Sequence, residues 1–281
     1  MAVPYSDVAK GVNDLFNKDF PFAITKLEVK SVASNGVAFT LNGSQNPKSG
    51  AISSELKTQF NDYHNGLNTT LTFNDASALG FKVELADKVL NGLKLELNNT
   101  FIPATNGLTT KVTVSHKSPT THSRILADLL NGPIFNADTI ALHKGFILGG
   151  EAGYNLKTGN VTKYNGTVGY ATPEFSLTLQ SNKSLNEFTT GFLHRIAINT
   201  EVGARVHYIT NSEKPVSIEV GAKHIIDKYT ALKAKVDSVG QVGLSLTQVL
   251  RPGVKATLGA SIDSTRLNQD AHKFGFHLVL N

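Results

Sequence analysis

The chain has 281 residues, of which 40% are hydrophobic and 17% charged, with a formal net charge of +5, a pI near 9.2 and a mean hydropathy of −0.10. Cys and Trp are both absent, which excludes disulfides and thiolate metal sites and leaves Tyr and Phe to form any interfacial aromatic girdle. No apolar run approaches the ~20 residues of a spanning helix, and Met1 to Phe20 contains no signal-peptide core.

The first segment carries helical spacing. Val8, Val12, Leu15 and Phe16 recur on one face, with Asp7, Lys10, Asn13, Asp14 and Lys18 elsewhere on the wheel. Ser6 suits a cap and Asp7 a first turn, so the spacing predicts one amphipathic helix over 6–18. So few apolar residues make a weak membrane anchor, and the helix is expected inside a lumen as a plug or liner.

After Pro21 the period changes to two. In Lys273-Phe274-Gly275-Phe276-His277-Leu278-Val279-Leu280, Phe274, Phe276, Leu278 and Leu280 point one way, and Lys273, Gly275 and His277 the other. Such alternation predicts strands at 24–32, 36–43, 51–60, 66–73, 79–86, 92–101, 109–117, 121–130, 134–143, 145–156, 161–171, 174–181, 185–195, 198–209, 215–225, 229–237, 241–248, 253–262 and 272–280. Ser34-Asn35-Gly36, Asn65-Gly66, Asn91-Gly92, Asn106-Gly107, Asn131-Gly132-Pro133 and Arg251-Pro252-Gly253 mark turns between them. The joints are short, so consecutive strands should be antiparallel neighbours. An odd count of about nineteen would make the first and last strands pair in parallel. Eighteen and nineteen cannot be separated by counting.

The polar faces carry Lys, Glu, Thr, Asn and Ser, so they cannot pack as a dry core. The pattern therefore predicts an all-β transmembrane barrel with a wet lumen and a lipid-facing apolar surface. Two parts are expected: an N-terminal segment, 1–23, and the barrel, 24–281. A barrel without a secretory signal points to a mitochondrial or plastid outer membrane entered from the cytosol.

Parity assigns the faces. Leu93, Leu95 and Leu97 face lipid while Lys94 and Glu96 face water; Leu232, Ala234 and Val236 face lipid while Lys233, Lys235 and Asp237 face water. A charge at the bilayer midplane costs roughly 2–4 kcal/mol, which enforces the choice. Thirteen cations follow for the lumen: Lys26, Lys30, Lys57, Lys82, Lys94, Lys111, Lys163, Arg205, Lys223, Lys233, Lys235, Lys255 and Lys273. Eight acids join them: Glu28, Glu55, Glu84, Glu96, Glu151, Glu201, Glu219 and Asp237. The surplus predicts a weak anion preference of the ensemble, since salt screens charges beyond ~8 Å. The competing reading is that these charges merely solvate the wall. Basic residues are spread singly along strands, so no nucleic-acid partner is expected.

Chemistry has little support. The scattered His116, His122, His143 and His194 lack metal-ligand spacing. Gly149-Gly150-Glu151-Ala152-Gly153 sits within a strand, with no helix after it to bind phosphate. No enzyme activity, metal or cofactor is expected.

Several stretches resemble the voltage-dependent anion channel family, the mitochondrial porins. They are Met1-Ala2-Val3-Pro4-Tyr5-Ser6-Asp7 with Asn13-Asp14-Leu15-Phe16-Asn17-Lys18, Gly92-Leu93-Lys94, and Leu250-Arg251-Pro252-Gly253-Val254. Most specific is a signature at His224, Asp227, Thr230, Ala234-Lys235-Val236-Asp237-Ser238, Gly243-Leu244 and Leu246, in which Lys228 departs from the usual small or acidic residue. The last strand, Lys273-x-Gly275-x-x-Leu278-x-Leu280, is similar to the sorting signal read by the mitochondrial barrel-assembly machinery. Two departures look fungal rather than animal: Asp19-Phe20-Pro21-Phe22-Ala23 replaces a glycine-rich hinge, and Lys82 aligns near a lipid-facing glutamate.

The resemblance implies a voltage-gated, weakly anion-selective diffusion pore of the mitochondrial outer membrane. Its permeants would be ATP, ADP, phosphate, organic anions and small ions. It implies membrane lipid and, during biogenesis, the assembly machinery as partners, and leaves a homo-oligomer open. Lys10 and Lys18 match positions associated with ATP; Gln241, Val242, Gly243, Gly259, Ala260, Ser261, Ile262 and Asp263 match positions linked to nicotinamide nucleotide. The plainer reading of Lys10 and Lys18 is that they face lumen water or pair with wall carboxylates. The alternative function is a barrel-type protein-import pore or docking platform of the same membrane. A soluble lipid-binding barrel is a more distant third.

Overall fold

The computed structural model describes residues 2–62, 64–130, 132–210, 212, 215–269 and 271–281. Met1 of the opening motif and Asn131 of the Asn131-Gly132-Pro133 turn signal lie outside the described residues.

Nineteen strands follow the N-terminal segment. They are β1 (Thr25–Val32), β2 (Ala38–Gln45), β3 (Ile52–Asp62), β4 (Leu67–Asn74), β5 (Leu79–Ala86), β6 (Leu93–Ile102), β7 (Gly107–Lys117), β8 (Thr121–Asp128), β9 (Ile134–His143) and β10 (Phe146–Asn155). Then come β11 (Asn160–Ala171), β12 (Phe175–Asn182), β13 (Glu187–Ala197), β14 (Thr200–Ile209), β15 (Val216–Ile225), β16 (Thr230–Asp237), β17 (Gln241–Arg251), β18 (Val254–Asp263) and β19 (Lys273–Leu280). All belong to one sheet, and β1 pairs with both β2 and β19, so the sheet closes into a barrel. Closure satisfies every edge, which a strand in hydrocarbon requires.

The expected strands are all present. Ends shift by up to three residues, the largest being β17, which runs on to Arg251. Glycine explains two of the tight turns. Gly92 has φ +81°, and a Cβ there would lie 2.2 Å from the Lys117 carbonyl oxygen; Gly253 has φ +80°, and a Cβ there would lie 2.6 Å from the Asn281 oxygen.

The helix differs from expectation. A 3-10 turn spans Tyr5–Asp7 and the α-helix α1 only Lys10–Phe16. Ser6 does not cap it: the N-cap is Ala9, without a side-chain cap bond, and Ser6 Oγ instead faces Asp7 Oδ1 at 3.4 Å. A helix of seven residues is unstable alone, so its ends are set by what it packs on rather than by capping signals.

The chain forms two compact units. The first comprises Met1–Asp7, Val29–Asn42 and Ser53–Gly166. Its ladders from β3 to β10 are antiparallel and in continuous register. Leu85↔Leu95↔Val114↔Ile125 is one apolar row, and Lys82↔Asn98↔Lys111↔Asp128 is one polar row. The 3-10 turn packs on β9 and β10. Burial, then the charges of Glu151 and Asp138, push the Tyr5 phenol up to about 12.

The second unit comprises Val8–Glu28, Gly43–Ile52 and Thr167–Asn281. Here Ala222↔Ala234↔Leu244↔Ala260↔Phe274 forms an apolar row across five strands. On the opposite face lies Gly221↔Lys235↔Gly243↔Ser261↔Lys273. Helix α1 packs on that polar face, against β13, β14 and β15.

Candidate functional site

The docking of the N-terminal segment begins with three side chains. Val12, Leu15 and Phe16 are buried with Leu193 of β13 in one apolar cluster. Burying each contributes about 2 kcal/mol. Gly11 permits the approach, because a Cβ there would stand 3.1 Å from Leu193 Cδ2.

The wall beneath is shaped by glycine. A Cβ on Gly191 would meet Val12 at 3.0 Å, one on Gly203 would meet Leu15 at 2.7 Å, and one on Gly221 would meet Phe16 at 2.9 Å. The same holds further on for Gly243 against Phe22 at 2.9 Å, Gly259 against Pro21 at 2.7 Å, and Gly275 against the Pro21 oxygen at 1.5 Å. Six strands thus each give up one side chain where residues 12–22 pass. A glycine inside a strand marks this kind of close approach.

Cations of the wall hold the polar parts of the segment. Lys233 Nζ donates to the main-chain oxygens of Asp14 and Lys18 and to Asp19 Oδ2, each at 3.0 Å. That uses all three ammonium donors. Lys235 Nζ donates to the Phe16 oxygen at 2.8 Å and lies 5.0 Å from the Phe20 ring centroid. Arg205 donates to Asn13 Oδ1 at 3.3 Å and to Asn17 Oδ1 at 3.2 Å, pairs with Glu219, and lies over the Phe16 ring at 5.0 Å. Cations thereby meet the carbonyl end of the helix, where its dipole favours them.

Asp19 is the acidic counterpart. Burial pushes its carboxyl up, but the hydrogen bond and charge of Lys233, with the charges of Lys255 and Lys18, bring it below the ordinary aspartate value. The Asp19 main-chain oxygen also accepts from Ser245 Oγ. Asp19 has φ 65° and Ala23 φ 53°, so the chain makes its two left-handed bends without glycine. For Ala23 this costs roughly 1–2 kcal/mol.

The remaining wall charges are largely paired. Lys82 lies 2.8 Å from Glu84 and 3.1 Å from Glu96; Lys94 lies 2.8 and 3.6 Å from the same two. Glu84 and Glu96 are opposite each other in register, so each lysine offsets their repulsion. Lys163 pairs with Glu151, Lys223 lies 3.5 Å from Glu201, Lys255 lies 3.9 Å from Asp19, and Lys26 lies 4.0 Å from Glu28. Lys30 alternates with Lys26 and Glu28 along β1. Lys57, Lys111 and Lys273 stand opposite Thr72, Asp128 and Ser261, without an ion pair among the described residues. Asp237 is engaged by its turn, accepting the Val239 and Gln241 amides at 2.9 Å each.

Parity reasoning passed over Arg124 and Asp138, which pair at 2.7 Å, and Arg195, 3.2 Å from Glu201. It also passed over the glycines. Their signal was present, as single Gly residues breaking otherwise regular strands, but not the identity of what approaches them.

The proposed nucleotide positions separate. Lys10 is exposed at the start of α1. Lys18 lines a cavity of about 250 Å³ with Asp14, Arg195, Glu201 and Lys223. Gln241, Ser261 and Asp263 line another of about 330 Å³, with Lys48, Arg266 and Lys273. Gly243 and Gly259 share their face but lie under Phe22 and Pro21. Val242, Ala260 and Ile262 alternate with them and so occupy the opposite, apolar face.

A family model described as eukaryotic porin matches residues 2–275. The chain is 38% identical to the mitochondrial outer membrane protein porin of Neurospora crassa, over 98% of each chain. It is 32% identical to the Xenopus laevis non-selective voltage-gated ion channel VDAC2, over 99% of each. A solved Rhodopseudomonas blastica porin variant aligns with TM-score 0.52 at 10% identity, over 89% of this chain and 96% of that one, which shows a shared fold alone.

Proposed function

Because this chain belongs to the eukaryotic porin family, we propose that it is a voltage-gated pore of the mitochondrial outer membrane, weakly selective for anions, through which metabolites and small ions diffuse. The observation that carries this is the full-length match to proteins named as outer-membrane porin and voltage-gated channel, on a closed barrel with a charged wall. The family is a class of channels rather than of enzymes. The relatives compared above are named as porin or channel, and no observation favours the import-type barrel.

The finer reading rests on the wall. The N-terminal segment, residues 1–23, acts as a docked element distinct from the barrel, 24–281. The pore-lining charges are Lys26, Lys30, Lys57, Lys94, Lys111, Arg205, Lys223, Lys233, Lys235, Lys255 and Lys273. Arg205, Lys233 and Lys235 serve docking; the others bias the permeating ions. Phosphate groups of a passing nucleotide meet Lys10 and Lys18, and the polar cavity at Gln241, Ser261 and Asp263, where Lys48, Arg266 and Lys273 supply positive charge. The partners are membrane lipid, small anions and nucleotides as permeants, and the barrel-assembly machinery.

Single-channel current of the purified protein in a planar bilayer, under a KCl gradient and stepped voltage, tests this. The expected result is a large open state with an anion-favouring reversal potential that closes at both polarities. Cation-selective current blocked by presequence peptides would replace it with the import barrel.

A further inference from the structure

We propose that Tyr5, His122 and Asp138 together bind one buried water molecule, which ties the N-terminal turn to the wall formed by β8, β9 and β10. The anchor does not depend on what the pore conducts.

All of its parts lie within the first unit. The 3-10 turn Tyr5–Asp7 packs on β9 and β10, and Tyr5, His122 and Asp138 are only 8, 7 and 5% exposed. Each nevertheless carries a buried polar atom with no hydrogen-bond partner among the described residues: Tyr5 Oη, His122 Nδ1 and Asp138 Oδ1. Burying such an atom unpaired is costly, and in folded proteins ordered water satisfies the atoms that protein groups do not reach.

The strand register brings the three together. Asp138 stands opposite Arg124 of β8 and Glu151 of β10. His122 stands opposite Ile140, two residues from Asp138 on the same wall face. Diagonal neighbours of this kind are about 7–8 Å apart at the backbone, a gap that two side chains and one water span. Tyr5 comes down on the same place, since Glu151 and Asp138 are the two charges that bear on its phenol. Beside it, the Ala2 amide donates to the Pro119 oxygen at 3.2 Å, just before β8 begins, and Ile140 is buried.

Charge and hydrogen-bonding capacity decide what fits. Arg124 Nε donates to Asp138 Oδ2 at 2.7 Å and Lys163 pairs with Glu151, so each carboxylate already has its cation. A further cation gains little there, and an anion would face both carboxylates; a neutral molecule remains. Burial, Glu151 and Asp138 push the Tyr5 phenol up to about 12, so it stays a donor. Asp138 Oδ1 is an acceptor, and so is Nδ1 of an imidazole whose proton sits on Nε2. Water offers the complementary set, one lone pair for the phenol and two protons for the acceptors, within the roughly two to four partners of a buried water. Residues 2–7 thus have an anchor made by other side chains than Arg205, Lys233 and Lys235.

The test is a crystal structure of the native protein that shows ordered water, beside that of Tyr5→Phe. Native density should show one peak about 2.7–3.2 Å from each of the three atoms, and Tyr5→Phe should lose it with the ring in place. In bilayers, Tyr5→Phe and His122→Phe should each speed amide exchange of residues 2–7 severalfold. Their combination should add little, because both break one bridge. Tyr208→Phe, on the lipid face, should leave that exchange unchanged. A direct bond from Tyr5 Oη to Asp138 Oδ1, a native map without the peak, a peak that survives Tyr5→Phe, or additive effects of the two replacements overturns the proposal.

Discussion

Lys233 and Asp19 stand 3.0 Å apart, although 214 positions separate them in sequence. The same ammonium reaches the oxygens of Asp14 and Lys18. One wall residue thus holds the last turn of the helix and the bend that follows it.

Replacing Lys233 by Met should therefore loosen the whole segment. Hydrogen bonds to a charged group contribute about 1.5–3 kcal/mol, and the lost pair leaves Asp19 partly buried without its nearest cation. Docking should weaken by about 2 kcal/mol, a tens-of-fold rise in the undocked fraction. Amide hydrogen exchange across residues 10–22 would register it, while exchange in β5–β8 should not change.

Glycine in the track should not tolerate a side chain. Gly203→Val and Gly221→Val place atoms where Leu15 and Phe16 sit. Overpacking of this kind costs roughly 1–3 kcal/mol. Gly43→Ala, with nothing within 4 Å of its added Cβ, is the matched control. Thermal unfolding in detergent should rank the first two below the third.

Acid should release the segment. The Asp19 carboxyl is held below its ordinary value, so its contribution is complete above the unfolded value of about 3.9 and disappears as pH falls through the lower folded value. Exchange at residues 10–22 should accelerate below about pH 4 in the native chain. Asp19→Asn should already be faster at pH 7 and show little of this dependence; an unchanged acid profile would remove Asp19 from the latch.

Selectivity should follow surplus charge rather than any one lysine. Lys57→Gln alone should move the reversal potential little. Turning Lys57, Lys111 and Lys273 together into Glu lowers the net wall charge by six, against the surplus of five counted by parity, and should abolish the anion preference. A triple variant still selecting anions as before would place selectivity elsewhere.

Strand positions were legible because lipid enforces alternation, though counting alone left eighteen against nineteen open: Leu93, Leu95 and Leu97 could not exchange faces with Lys94 and Glu96. Parity reports a face, however, and not what stands on it. Lys233 and Lys235 read as free wall charges because their partners lie some two hundred residues earlier. Ser6 read as a cap because local propensity favours it there, whereas tertiary packing starts the helix at Lys10. Gly243 and Gly259 match, by resemblance, positions linked to nucleotide; that their missing side chains accommodate Phe22 and Pro21 was not legible in the sequence.

Pairing of β1 with β19 has a kinetic side. The partner of Thr25–Val32 is Lys273–Leu280, at the other end of the strand order. Until those eight residues exist, two strands keep a row of amides and carbonyls open to any other chain. Contacts so distant in sequence also form slowly. The nascent protein must therefore be kept from pairing with its neighbours until β19 has been made, and that strand is the part that ends this exposure.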